Sequence, residues 1–255
     1  MNVLLLQTDI KWLSPPSNRM HALELIDSSP QADLIVLPEM FTTGFCMSAS
    51  ECAESANNET LAWMQEVAHN KNTALAGSIA TKENGLYYNR FYFVKPDRSY
   101  AIYDKRHLFT FGGENNAYTS GTNRVIVEHM GVRILLQICY DLRFPVFARN
   151  RGDYDAIIYV ANWPIPRIEV WNILLKARAI ENVSYVLGVN RVGNDPYCQY
   201  NGGTVLLNYM GKGISKSTSD MEEIVYGKID LQQLYDFRKK FPVLDDADLF
   251  SVYSD

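Results

Sequence analysis

The stretch DLIVLPEMFTTGF, residues 33–45, sets four consecutive apolar residues, Leu34 to Leu37, in front of Pro38 and Glu39. An apolar run this short, with no polar residue alternating through it, fits a strand buried on both faces. DAIIYVAN, residues 155–162, repeats the pattern. Reading outward, apolar runs rich in Val, Ile, Leu and Tyr predict strands near 2–8, 33–38, 73–80, 87–95, 124–128, 131–139, 155–161, 184–190, 203–208, 212–218 and 223–229. Helices are predicted near 17–28, 59–70, 144–151 and 231–240. The clearest is EVWNILLKARAIEN, residues 169–182, where Trp171, Leu174, Leu175 and Ile180 approximate one apolar stripe. Alternating strands and helices point to an α/β fold with both sheet faces covered. Successive strands near 73–104 and 203–229 add antiparallel pairing, so the sheets are expected to be mixed.

With 255 residues and 47% hydrophobic content, the chain can bury a full core, and a single domain is expected over 1–255. The segment after Phe241, about 241–255, reads as an irregular C-terminal extension. The net charge of −5, without a Lys/Arg block, argues against a nucleic-acid partner and favours a small molecule or a protein. Cys46, Cys52, Cys139 and Cys198 form no C-x-x-C pair, so reduced thiols are expected and structural zinc is not. The opening MNVLLLQTDIKW has no basic leader and reads as a strand, not a signal peptide. No segment reaches the roughly 18 apolar residues of a membrane helix. A soluble, cytoplasmic protein with no membrane partner is expected.

Three strand ends carry the chemistry. Glu39 follows a buried run directly, where a carboxylate is costly unless solvated, paired or used. AIYDKRHLFTFGGENNAYTSG, residues 101–121, crowds Lys105, His107 and Glu114 among aromatics and glycines. Lys105 there is placed to hold a fixed positive charge in a cleft, with Glu114 as its neighbour. Cys139 ends the run VRILLQI just before Phe144-Pro145, which looks like a helix start. Free amides at such a turn lower a thiol pKa. Taken singly, each has a structural alternative: an exposed acidic strand end, a polar turn, a buried inert thiol. Together, a thiolate, a carboxylate and an ammonium make up an acyl-transfer set.

The words carrying these residues resemble the nitrilase superfamily of carbon–nitrogen hydrolases: LPEMFTTGF for Glu39, YDKRHLF for Lys105, GGENNAYTSG for Glu114 and ICYDLRFP for Cys139. ANWPIPRIEVW and ARAIEN extend the likeness over almost the whole chain. The resemblance implies an α-β-β-α sandwich of two facing sheets with outer helices, commonly paired with a second subunit, so a homodimer or higher homo-oligomer is expected. Within the superfamily the combination of CYDLRFP, ANWP and RAIEN is most similar to ω-amidases, which hydrolyse the terminal amide of 2-oxo dicarboxylic acid monoamides; some bacterial ones are associated with methionine salvage. Amidohydrolases of N-carbamoyl or aliphatic amides are the alternative enzyme class, and a binding protein without turnover is the alternative outside catalysis.

On this resemblance Glu39 acts as base and acid, Cys139 as nucleophile, and Lys105 with the backbone N–H of Tyr140 as oxyanion donors. Glu114 orients Lys105 or the substrate amide, and no metal or organic cofactor is implied. A distal substrate carboxylate calls for a cation. Arg167 is the candidate, with a local capping role as its alternative. Arg143 suits an ion pair with Asp141. Phe111, Tyr118 and Trp163 are candidate pocket residues, with burial in the core as the alternative. His107 is expected to be structural, and Cys46, Cys52 and Cys198 to be ordinary thiols. The adjacent Gly112 and Gly113 would permit movement of the loop from Phe109 to Gly121.

Overall fold

In the computed structural model, which describes residues 1–252, two mixed sheets face each other and helices cover their outer faces. The first sheet holds β1 (Asn2–Gln7), β2 (Leu34–Val36), β3 (Glu54–Ser55), β4 (Ala74–Glu83), β5 (Leu86–Val94) and β6 (Tyr100–Asp104). The second begins with β7 (Ile126–His129), β8 (Val132–Ile138), β9 (Ala156–Ala161) and β10 (Tyr185–Asn190). A small hairpin of β11 (Val192–Asn194) and β12 (Gln199–Asn201) follows. β13 (Val205–Leu207) and β14 (Gly213–Lys216) complete the second sheet, and β15 (Glu223–Lys228) returns to the first. The helices are α1 (Pro15–Asp27), α2 (Ala49–Cys52), α3 (Glu59–Lys71), α4 (Glu114–Ala117), α5 (Pro145–Ala148), α6 (Ile168–Asn182) and α7 (Leu231–Lys240).

The main strand orders are β15-β1-β2-β4-β5-β6, with β3 beside β4, and β14-β13-β10-β9-β8-β7. Each sheet has a parallel centre, β1-β2-β4 in one and β10-β9-β8 in the other, flanked by antiparallel strands. Side chains alternate across each strand, so a strand between two apolar layers needs apolar residues at every position. Leu34 and Val36 enter the core between the sheets, whereas Ile35 and Leu37 pack in the layer with α1 and α3. On β9, Ala156, Ile158 and Val160 face the inter-sheet core, and Ile157, Tyr159 and Ala161 face α6. The uninterrupted runs are therefore a product of the four-layer architecture.

All eleven predicted strands form, and β3, β6, β11 and β12 are additional. The predicted stripe on α6 is only partly right. Trp171 and Leu175 are buried with Arg178, Ala179 and Asn182, while Ile180 is exposed on the outer face. The helix predicted at 144–151 shrinks to the four residues of α5. Beyond α7 the described chain is irregular, with Val243 and Leu244 packed on the core; the rest of the expected extension, 253–255, lies outside the described residues. Among the described residues no helix is long and apolar enough to cross a membrane.

Candidate active site

Strand ends from both sheets converge on one cluster. Glu39 follows the end of β2, Lys105 the end of β6, Glu114 begins α4, and Cys139 follows β8. Glu39, Lys105 and Glu114 are all fully buried. The Lys105 Nζ donates to Glu39 Oε1 at 2.9 Å and to Glu114 Oε1 and Oε2 at 3.0 and 2.9 Å. Burial pulls the Lys105 pKa down, but Glu114 and Glu39 outweigh it and the net shift is upward. Glu114 is shifted up by burial, against the pull of Lys105, and its Oε2 also accepts from Phe109 N at 2.6 Å. Lys105 also lies 5.2 Å from the Phe45 ring centroid. The sequence-predicted Glu–Lys–Glu neighbours are thus one hydrogen-bonded unit.

Glu39 is oriented at both oxygens. Asn89 Nδ2 donates to Oε1 at 2.8 Å, and the backbone N–H of Asn162 donates to Oε2 at 2.8 Å. The Asn162 side chain also donates to the Glu39 carbonyl at 2.6 Å. Met40, next in the chain, has φ 43°, and its N–H donates to Ser78 Oγ at 2.9 Å. Gly77 lets this turn sit against β4: a Cβ there would lie 3.0 Å from Leu37 Cβ.

Cys139 also has positive φ, 45°, a conformation non-glycine residues adopt at some energetic cost. It starts a 3₁₀ turn, Cys139–Arg143, braced from several sides. Asp141 accepts from Ile138 N at 2.9 Å, Tyr103 Oη at 2.7 Å, and His107 N and Nδ1 at 3.0 and 2.8 Å. His107 stacks on Phe144 at 3.9 Å and so braces the turn. Arg178, from ARAIEN, donates to the Leu142 carbonyl at 2.5 Å. The sequence expectation of a lowered Cys139 pKa is overturned. Burial and the charge of Glu39, within hydrogen-bonding reach of the thiol, push it well up, and Lys105 only partly opposes them. At rest the Cys139 side chain is a thiol within reach of the Glu39 carboxylate.

Above Glu39 and Cys139 opens a cavity of about 490 Å³ whose walls include Phe45, Phe109, Tyr140, Trp163, Arg143 and Arg167. Trp163 borders it and is also buried in the core against Trp171; its Nε1 donates to the Arg167 carbonyl at 2.7 Å. Phe111 lies at the rim and is 88% exposed. Arg167 makes no side-chain cap to α6; its guanidinium lies 5.1 Å from the Phe109 ring centroid. Two readings are corrected. Tyr118 is a core residue outside the cavity, because its hydroxyl donates to the Cys46 carbonyl at 2.7 Å and lies 3.3 Å from Cys52 Sγ. Arg143 makes no ion pair with Asp141, whose oxygens are occupied by Tyr103, His107 and Ile138; it lies over Trp163 at 5.4 Å, in the cavity wall. Cys46 and Cys198 also line the cavity, and a hydrogen bond with Cys52 lowers the Cys46 pKa to about 7.

A model of the carbon–nitrogen hydrolase family matches residues 3–239. The chain belongs to that family. This carbon–nitrogen hydrolase is 42% identical over 254 residues to omega-amidase YafV of Escherichia coli K12, with 99% of each chain covered. It is 33% identical over 247 residues to a 2-oxoglutaramate amidase of Bacillus subtilis, covering 94% of this chain and 95% of the relative. Among solved structures it resembles XC1258 of Xanthomonas campestris, a CN-hydrolase superfamily protein carrying an arsenic adduct in its active site. There the TM-score is 0.96 at 38% identity, with 99% of each chain covered. The α-β-β-α sandwich expected from the sequence is the fold this chain has and shares with that solved structure.

Proposed function

We propose that the protein is an ω-amidase that hydrolyses the terminal amide of 2-oxo dicarboxylic acid monoamides, 2-oxoglutaramate and 2-oxosuccinamate, to the 2-oxo acid and ammonia. The observation that carries this reading is the pairing of the Cys139–Glu39 floor with a cavity wall bearing guanidiniums, Arg167 and Arg143, that have no carboxylate partner among the described residues. An acyl-transfer site needs the floor; a substrate with a distal carboxylate needs a cation on the wall. The names of the similar enzymes support the same substrate class.

In this mechanism Glu39 takes the Cys139 proton as sulfur attacks the amide carbon. The oxyanion is held by Lys105 and the Tyr140 N–H, contacts of the kind whose loss costs about two to three orders of magnitude in rate. Collapse expels ammonia with the proton from Glu39, leaving a thioester. Glu39 then draws a proton from water, which attacks the thioester and returns the thiol. Glu114 fixes Lys105, and Arg167 binds the distal carboxylate. The cytoplasmic location, single-domain organisation and homodimer expected from the sequence belong to the same proposal; sedimentation at working concentration tests the last.

The test is a substrate panel with Arg167→Ala and Arg143→Ala. Arg167→Ala is expected to raise KM at least tenfold for 2-oxoglutaramate and little for an uncharged aliphatic amide, the loss of roughly 1.4 kcal/mol or more of carboxylate binding. Unchanged kinetics in Arg167→Ala with a raised KM in Arg143→Ala would move the carboxylate to Arg143. Unchanged kinetics in both would reject the carboxylate-binding assignment. Preference for N-carbamoyl or simple aliphatic amides would replace the ω-amidase reading.

A further inference from the structure

Hydrogen-bond counting around Lys105 leaves a gap in the mechanism. An ammonium has three N–H groups, and the Lys105 Nζ has three partners at hydrogen-bond distance, all carboxylate oxygens: one of Glu39 and two of Glu114. To stabilise an oxyanion, Lys105 must release one of them while both carboxylates remain buried. Asn89 meets that requirement. Its Nδ2 donates to Glu39 Oε1 at 2.8 Å and to Glu114 Oε1 at 3.1 Å, two of the oxygens Lys105 also holds. Its Oδ1 accepts from Ser78 Oγ at 2.9 Å, and Ser78 Oγ in turn accepts from the N–H of Met40, the residue after Glu39. The chemistry of the partners fixes the amide orientation: nitrogen toward two carboxylates, oxygen toward a hydroxyl. Asn89 is fully buried and does not line the cavity.

We propose that Asn89 is a positioning residue, oriented by Ser78, that keeps Glu39 and Glu114 bonded and ionised while Lys105 turns an N–H toward the oxyanion. The inference rests on Glu39 being the base for Cys139. Lys105 and Asn89 occupy Oε1 at 2.9 and 2.8 Å, whereas Oε2 takes Asn162 N at 2.8 Å and Asn162 Nδ2 only at 3.5 Å, so Oε2 is the more open oxygen and the acceptor for the thiol. Asn89 thereby directs the active oxygen of the base as well as its charge.

Asn89→Asp keeps the shape but turns a double donor into an acceptor facing two carboxylates. Loss of donors and added like charge disfavour the ionised form of the cluster, so the acid limb of the pH profile moves up by about one unit or more. Two readouts follow it: kcat/KM for amide hydrolysis, and the rate of Cys139 alkylation by iodoacetamide, followed by peptide mass so that the other cysteines are separated. Alkylation needs no amide substrate, so it still reports on Asn89 if the ω-amidase assignment fails. Ser78→Ala, which frees the amide without altering charge, is expected to shift both profiles in the same direction by a smaller amount. An upward shift of the acid limb in both variants supports the proposal. Acid limbs superimposable on wild type, with activity lowered equally at every pH, would assign Asn89 a purely structural role and overturn it. If Asn89→Asp does not fold, an unshifted Ser78→Ala alkylation profile overturns it alone.

Discussion

Lys105→Met tests the charge balance of the buried cluster. The ammonium sits 2.9 Å from carboxylate oxygens of both Glu39 and Glu114, and all three side chains are fully buried. Removing one partner of a buried ion pair costs about 3–5 kcal/mol, because the other charge stays desolvated. Here one cation serves two anions, and only the neutral Asn89 still bridges them, so the upper half of that range is expected. For a chain of this length each kcal/mol lowers Tm by roughly 2–4 °C, giving a loss of about 8–20 °C near neutral pH. The deficit has a definite pH dependence. Glu114 is shifted up by burial and restrained by Lys105, so losing the lysine raises its folded-state pKa further above the unfolded value. A carboxyl raised in this way favours folding most below the unfolded pKa, and that advantage is lost as pH rises through the folded pKa. The gap in Tm between Lys105→Met and wild type therefore narrows on acidification toward about pH 5. Thermal denaturation of both proteins across this range is the assay. A variant within about 2 °C of wild type at neutral pH, or a gap that widens on acidification, would refute the reasoning.

Three further substitutions separate the cluster from its surroundings. Tyr118→Phe removes the hydroxyl bound to the Cys46 carbonyl and is expected to lower stability by about 1–2 kcal/mol with kcat/KM within twofold of wild type, read by denaturant melts and ammonia release. Asp141→Asn turns one of its two acceptor oxygens into a donor, so either the His107 pair or Ile138 N and Tyr103 lose their acceptor; a loss of about 2–4 kcal/mol is expected, with a fall in kcat as the Cys139 turn loosens, and wild-type kcat would contradict the bracing role. Phe111→Ala, at the exposed rim, is expected to leave stability within about 0.5 kcal/mol and change KM rather than kcat, measured by steady-state kinetics.

The layers were legible because a strand covered on both faces cannot hide its burial: Val3 and Leu5 enter one core, Leu4 and Leu6 the other, and the run stays apolar throughout. β3, β11 and β12 are two or three residues long and lack such a run, so their pairing follows from the surrounding fold. Glu39 stood out because a charge directly beside apolar sequence must be satisfied, and Lys105 and Glu114 because they crowd one loop among aromatics and glycines and match the family words. The neutral residues that satisfy them carry no comparable signal. Asn89 shows only as an amide inside the aromatic strand YYNRF, and Ser78 not at all. Asn190, which accepts from Trp163 N at 2.7 Å and donates to its carbonyl at 2.9 Å, was equally silent. Arg143 was misread because sequence proximity to Asp141 is not contact: the carboxylate turns toward Tyr103 and His107, and the guanidinium toward the cavity. The thiol pKa was misjudged for a related reason. The turn after β8 predicts stabilising amides, but the Glu39 charge that opposes them arrives from 100 residues earlier in the chain.

The most direct test of the central claim is ammonia release from 2-oxoglutaramate and 2-oxosuccinamate by wild type and Cys139→Ala, with glutamine as the control lacking the 2-oxo group. The account predicts rapid release from at least one 2-oxo amide, abolished in Cys139→Ala and absent with glutamine. No release from either 2-oxo amide, or release that survives loss of Cys139, would contradict it.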